Sequence, residues 1–240
     1  MKNKIIFLIL ISTVGAARAD LVIQQQTITT LNKSNQSFTE TIKIRGDKIR
    51  TDADGGLHAG TSWILDTGTY DTFTLFHKHK SVMKESGAQE KEFQEKKKKQ
   101  SSNTNAAAIT QVTPVDTGKS EKVGVYNTEI YKWSGANGAI LTYWVAKDFP
   151  DYEKINVALD KLGQSAGLAR LNPLNALPGM VVKAQSILKL DAGALTNTTT
   201  LISVKEEPVD ASLFEVPSDY TDETPPARRQ HTNTVTTPNK

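Results

Sequence analysis

Ser37-Phe38-Thr39-Glu40-Thr41-Ile42-Lys43-Ile44-Arg45, then Gly46-Asp47, then Lys48-Ile49-Arg50-Thr51-Asp52 is the stretch that decides the fold. Apolar and β-branched residues alternate with polar ones on both sides of a Gly-Asp pair, the pattern of two antiparallel strands joined by a tight turn. The pattern continues in both directions. Leu21 to Thr30 is rich in β-favouring residues, and Asn32 to Gln36 supplies a polar turn before Ser37. Downstream, Ser62 to Leu65 and Thr72 to Phe76 flank the turn residues Asp66 to Asp71, and His79 to Met83 reads as the next strand. The first half is therefore expected to be an antiparallel meander.

Gln89 to Gln100 changes period. Glu92 with Lys96 and Glu95 with Lys99 stand four apart in the order that favours a helix, and Lys96 to Lys99 suit its negative end. This run reads as a solvated helix. Ser101 to Lys119 is Ser, Thr, Asn and Ala with one proline, the composition of a flexible insertion. Strands resume at Glu121 to Trp133 and Ala139 to Lys147 around the loop Ser134 to Gly138. A helix is expected from Pro150-Asp151, with Asp151 as N-cap and Ile155, Leu159, Leu162 and Ala166 on the face that meets the sheet. Leu177-Pro178-Gly179 breaks the chain before a last hairpin, Met180 to Leu190 with Thr196 to Lys205. Val209 to Phe214 reads as a short turn, and residues 221–240 as a disordered tail.

Residues 1–19 read as an export signal: Lys2 and Lys4, an apolar run from Ile5 to Val14, and the small-x-small site Ala17-Arg18-Ala19. That places the mature protein in the periplasm or outside the cell, with residues 20–220 as a single domain. The apolar run is about ten residues, too short to span a core of ~30 Å, and no later segment is long enough to try. The chain has no cysteine, which removes disulfides, a lipid-attachment site and thiolate chemistry. Lys2, Lys4 and Arg18 together account for the formal charge of +3, so the mature chain is near neutral. A nucleic-acid partner would need a basic surface, and none is expected.

Several motifs carry a chemical suggestion. Asp66-Thr67-Gly68 and Asp116-Thr117-Gly118 have the form of aspartic-protease loops, but the copies are too close to sit in two lobes, and turn chemistry explains both. Gly163-Gln164-Ser165-Ala166-Gly167 has the form of a nucleophile elbow, yet it follows an amphipathic helix instead of a strand. Asp52-x-Asp54-Gly55 lacks the remaining ligands of a calcium loop. His58, His77 and His79 lack a spaced partner to complete a metal site, although His77 and His79 would project from one face of a strand. No catalytic residue, metal or cofactor is assigned. The usable signal is aromatic and aliphatic. Trp63, Leu65, Phe73, Leu75, Tyr143, Trp144 and Leu159 are the candidates to line an apolar cavity between a curved sheet and its helices.

Three stretches resemble an exported bacterial family defined only as a domain of unknown function. They are Phe76-His77-Lys78-His79-Lys80-Ser81-Val82-Met83, the pair Val123 to Trp133 with Thr142 to Pro150, and Leu177-Pro178-Gly179-Met180 with Glu206 to Tyr220. The resemblance spans roughly residues 20 to 220 and extends to the periplasmic lipoprotein carriers and their outer-membrane receptors. It implies an α+β, mainly antiparallel β fold, a curved half-barrel sheet with helices packed on its concave face, sheltering acyl chains. Phe214 and Tyr220 would anchor the chain end while Pro217 sets its direction. The expected function is binding, without chemistry, of an apolar ligand such as a lipid or lipoprotein acyl chain, or of an envelope protein. The alternatives are a structural or protein-interaction module with a filled core and, third in order, a hydrolase.

Overall fold

The computed structural model describes residues 20–32, 34–88, 113–135, 138–165, 176–190 and 193–224. Among the described residues, twelve strands form one open, curved sheet. In chain order they are β1 (Leu21–Leu31), β2 (Ser34–Arg45), β3 (Lys48–Asp54), β4 (Thr61–Asp66), β5 (Thr72–Phe76) and β6 (Ser81–Glu85), then β7 (Val115–Val123), β8 (Tyr126–Ser134), β9 (Ile140–Ala146), β10 (Met180–Leu190), β11 (Gly193–Glu206) and β12 (Thr221–Asp222). Their spatial order is β12-β6-β5-β4-β3-β2-β1-β11-β10-β9-β8-β7. Two meanders thus meet at one seam, where the first strand pairs with the last long one, from Leu21 opposite Glu206 to Leu31 opposite Leu195. Every pairing is antiparallel except β12 with β6.

Alternation places the core. Leu21, Ile23, Ile42, Ile44, Ile49 and Leu65 fall on one side of β1 to β4 and join Trp144, Ala146, Met180 and Val182 in the main cluster. The other side of the same strands carries Val22 and Ile64, covered by the chain that leaves β11. This strap contains a 3-10 turn, Ala211–Phe214, started by Asp210, whose carboxylate accepts from the Ser212 amide at 2.9 Å.

Several expectations are corrected. One α-helix, α1 (Tyr152–Ser165), packs on the sheet among the described residues, where helices were expected. Residues 89–100, read as a helix, lie outside the described residues, as do residues 1–19. β7 begins at Val115, inside the segment read as a flexible insertion. Glu121 to Trp133 is not one strand: Gly124 adopts φ 58, a left-handed turn conformation that suits glycine, and the chain reverses so that Val123 pairs with Tyr126. His77 and His79 sit in the β5–β6 turn and not on a strand, with the His79 amide bonded to the Phe76 carbonyl. The tail is ordered at its start, because the Thr221 and Glu223 amides donate to the Lys80 and Val82 carbonyls at 2.9 Å each.

Candidate functional site

The main cluster is closed by the segment after β9. Phe149 stacks at 5.1 Å on Tyr126, and the Asp151 carbonyl accepts from the Lys154 and Ile155 amides to start α1. Asp151 has φ 53, strained for a residue with a Cβ. Ile155 is buried against the sheet, with Tyr152 and Leu159 half-buried beside it. Asn156 is also buried and donates to the Gly179 carbonyl at 3.2 Å. Gly179 runs so close to β9 that a Cβ there would meet the Ala146 carbonyl oxygen at 2.4 Å, so this contact requires glycine. The Trp144 indole N–H donates to Glu121 at 2.8 Å, and the Lys183 ammonium lies 4.1 Å from its ring centre. Its polar handle is thus satisfied at the cluster's rim.

From that cluster, one row of paired residues runs Ile42, Thr51, Trp63, Thr74, Met83 across β2 to β6. Trp63 and Met83 are half-buried, and His58 packs edge-on to the indole at 5.2 Å. Thr51 Oγ1 and Asn156 Oδ1 are buried with no hydrogen-bond partner among the described residues.

The candidate residues divide among these surfaces. Leu65, Trp144 and Leu159 belong to the main cluster, and Trp63 is on the same side of β4 as Leu65. Phe73 and Leu75 point to the other side, packing with Ile64, Val82, Val216 and Tyr220. Tyr143, next to Trp144 on β9, points away from it into a group with Tyr131, Val145 and Leu177. Burial pushes its phenol up to about 12, so it stays neutral. The seven do not line one space. A cleft of about 430 Å³ lies at the β2–β3 turn, bordered by the charged residues Arg45, Asp47, Lys48, Asp66 and Glu215 and by Ala211 and Phe214.

The catalytic motifs resolve into local structure. Asp66 Oδ1 accepts from the Gly68 and Thr69 amides at 2.9 and 3.1 Å, and Asp116 Oδ1 from Gly118 at 2.8 Å, so each Asp-Thr-Gly closes its own turn. Ser165 ends α1 and does not follow a strand. Among the described residues no group of three His, Asp or Glu side chains could hold a metal ion.

Sequence reading missed a polar cluster on the strap side. Ser62 Oγ donates to Asp52 at 2.5 Å and lies 3.0 Å from an Arg50 nitrogen and 2.6 Å from His77 Nε2. His77 Nδ1 lies 2.6 Å from the Tyr220 hydroxyl, Lys43 bonds Asp52, and Arg50 also donates to the Leu213 carbonyl. Ser62 is only 1% exposed and fully engaged, so the pair with His77 is no nucleophile and base. The available signal was the resemblance itself: two of its stretches, Phe76 to Met83 and Glu206 to Tyr220, meet here.

Residues 22–220 match the family described as a domain of unknown function, DUF4412. The chain belongs to this family. Solved structures align along most of its length at very low identity. An uncharacterised conserved protein from Thermus thermophilus aligns at TM-score 0.49 and 6% identity over 85% of this chain and 89% of that one. A LolA superfamily protein from Nitrosomonas europaea aligns at TM-score 0.36 and 7% identity, covering 83% of this chain and 91% of that one. A putative outer membrane lipoprotein-sorting protein domain from Vibrio parahaemolyticus aligns at 0.33 and 10% identity, over 82% and 89%. No curated protein matches the chain.

Proposed function

We propose that this DUF4412 protein is a non-enzymatic, exported binder of an apolar ligand, an acyl chain held between α1 and the sheet of a half-barrel. One observation supports the reading: among the described residues a single helix lies on a sheet much wider than itself. Twelve strands about 4.8 Å apart span roughly 50 Å, whereas a helix with its side chains is about 10 Å across. The row of paired residues, with Ile42, Trp63 and Met83 alternating with Thr51 and Thr74, continues outward across β2 to β6. An acyl chain burying ~300 Å² there gains about 7 kcal/mol before ordering costs, enough to bind without a charged anchor. Leu65, Trp63, Trp144 and Leu159 are the residues that would touch it.

The test is native mass spectrometry of the purified protein with lipid extraction, followed by displacement of a fluorescent fatty acid. A co-purifying lipid, with affinity lowered about tenfold or more by Leu159→Asp, is expected. A bare mass and no displacement would favour the second reading, a protein-interaction module. That reading is supported by Phe149, Tyr152, Ile155 and Leu159 already filling the space over the main cluster.

A further inference from the structure

The geometry points to a lipid-bilayer contact at the hairpin tips of β1–β2, β10–β11 and β8–β9, an inference independent of what the sheet holds under α1. All three tips lie at one end of the sheet, as the pairings Leu31 with Ser34, Leu31 with Leu195, Leu188 with Leu195, and Ile187 with Ile140 require. Ile28, Leu31, Leu188 and Leu190 are exposed there by 39, 36, 37 and 48%. Leu31, Leu188 and Leu195 share one side of this end, and Ile28 and Ile187 take the other. A flat protein partner covers one side of a sheet. Exposed aliphatic side chains on both sides of this end, Leu31, Leu188 and Leu190 on one and Ile28 on the other, are satisfied together only by a medium that surrounds the tip.

Charge selects the bilayer. Over the last four residues of each arm, the only charged side chains among the described residues are Lys132 and Lys189. Those two lysines give the described arms a net +2, the sign that suits anionic head groups. Long lysine stems let the ammonium stay at head-group level while the aliphatic side chains go deeper. The arm from Ile28 to Leu31 is about 10 Å long, the depth of the head-group and acyl boundary.

The experiment is co-sedimentation of protein, produced from the full chain and purified in the form the cell keeps, with two kinds of vesicle. One contains phosphatidylglycerol with about three parts phosphatidylethanolamine, and the other is phosphatidylcholine alone. Binding to the anionic vesicles is expected. It should fall at least about tenfold in the triple variant Leu31→Ser, Leu188→Ser, Leu190→Ser, and also fall in Lys189→Glu. Ile202→Ser, at a site 55% exposed but away from the tips, should bind as the parent does, and urea midpoints should be unchanged in all of them. The inference is overturned if the parent does not bind, if the triple variant binds equally well, or if Ile202→Ser is as damaging. It is also overturned if sedimentation velocity shows a dimer that the triple variant abolishes, since the tips would then meet a second copy.

Discussion

Ser62 has one hydroxyl proton, and its closest acceptor is the Asp52 carboxylate. With that proton committed, Ser62 Oγ accepts from Arg50 and from His77 Nε2–H, and in the neutral imidazole His77 Nδ1 then accepts from Tyr220. A single aspartate thus orders the chain of bonds that ends at the strap. Burial pushes the Asp52 carboxyl up, but hydrogen bonds from Lys43, Ser62 and Arg50 together outweigh it and hold the group below its ordinary value of 3.8. A carboxyl whose folded value is depressed stabilises the fold above its unfolded value, and that contribution is lost as pH falls through the folded one. Asp52→Asn should therefore cost about 1–3 kcal/mol near neutral pH, and the gap to the parent should narrow as pH falls from the ordinary value of 3.8 through the lower folded one. Urea midpoints of both proteins at about pH 7 and pH 2.5 measure it. An equal gap at both pH values would deny Asp52 this role.

The strap is held along its length by different means. Arg45 and Arg50 bond the Val209 and Leu213 carbonyls, Phe214 is buried against Val22, and Tyr220 packs over Ile64, Leu75 and Val82. Lys80 and Asp219 add an exposed pair that counts for little. Phe214→Ala should cost about 3–4 kcal/mol, whereas Tyr220→Phe keeps the packing and loses one hydroxyl bond, about 1 kcal/mol. Chemical unfolding of the two variants would separate apolar anchoring from the polar latch; equal losses would contradict the division. The strap also explains which elements were legible. β2 and β3 alternate cleanly in sequence. In β4 adjacent aliphatic residues face opposite ways, Leu65 into the main cluster and Ile64 under the strap, and nothing in the sequence separates Leu65 from Phe73 and Leu75 on the strap side, so the three read as lining one cavity. β7 was missed at its start because Val115 to Lys119 is exposed and carries no apolar period, and its bulge between Asp116 and Ser120 breaks the register. β12 is two residues long and is set by backbone bonds to β6, which leave no pattern in side chains.

The whole molecule is two meanders joined at the β1–β11 seam, and whether they fold as one unit depends on what crosses it. The main cluster crosses it: Ile23, Ile49 and Leu65 from the first meander share it with Trp144, Met180 and Val182 from the second, and with Ile155 from α1. Along the seam, Thr27 and Thr199 hydroxyls bond at 2.9 Å and Thr29 donates to Asn197 at 2.8 Å. The pairing brings together residues 185 apart in sequence (Leu21 with Glu206), so its closure entropy is repaid only when both meanders are formed. Partial structures are thereby disfavoured, and equilibrium unfolding should be a single transition by tryptophan fluorescence and by far-ultraviolet circular dichroism. Ile49→Ala and Met180→Ala, one in each meander, should each lower the same midpoint by about 2–4 kcal/mol in free energy without changing the slope. If the meanders were autonomous, each substitution would move only one of two transitions. Met180→Ala would then leave the signal of Trp63, in the first meander, untouched.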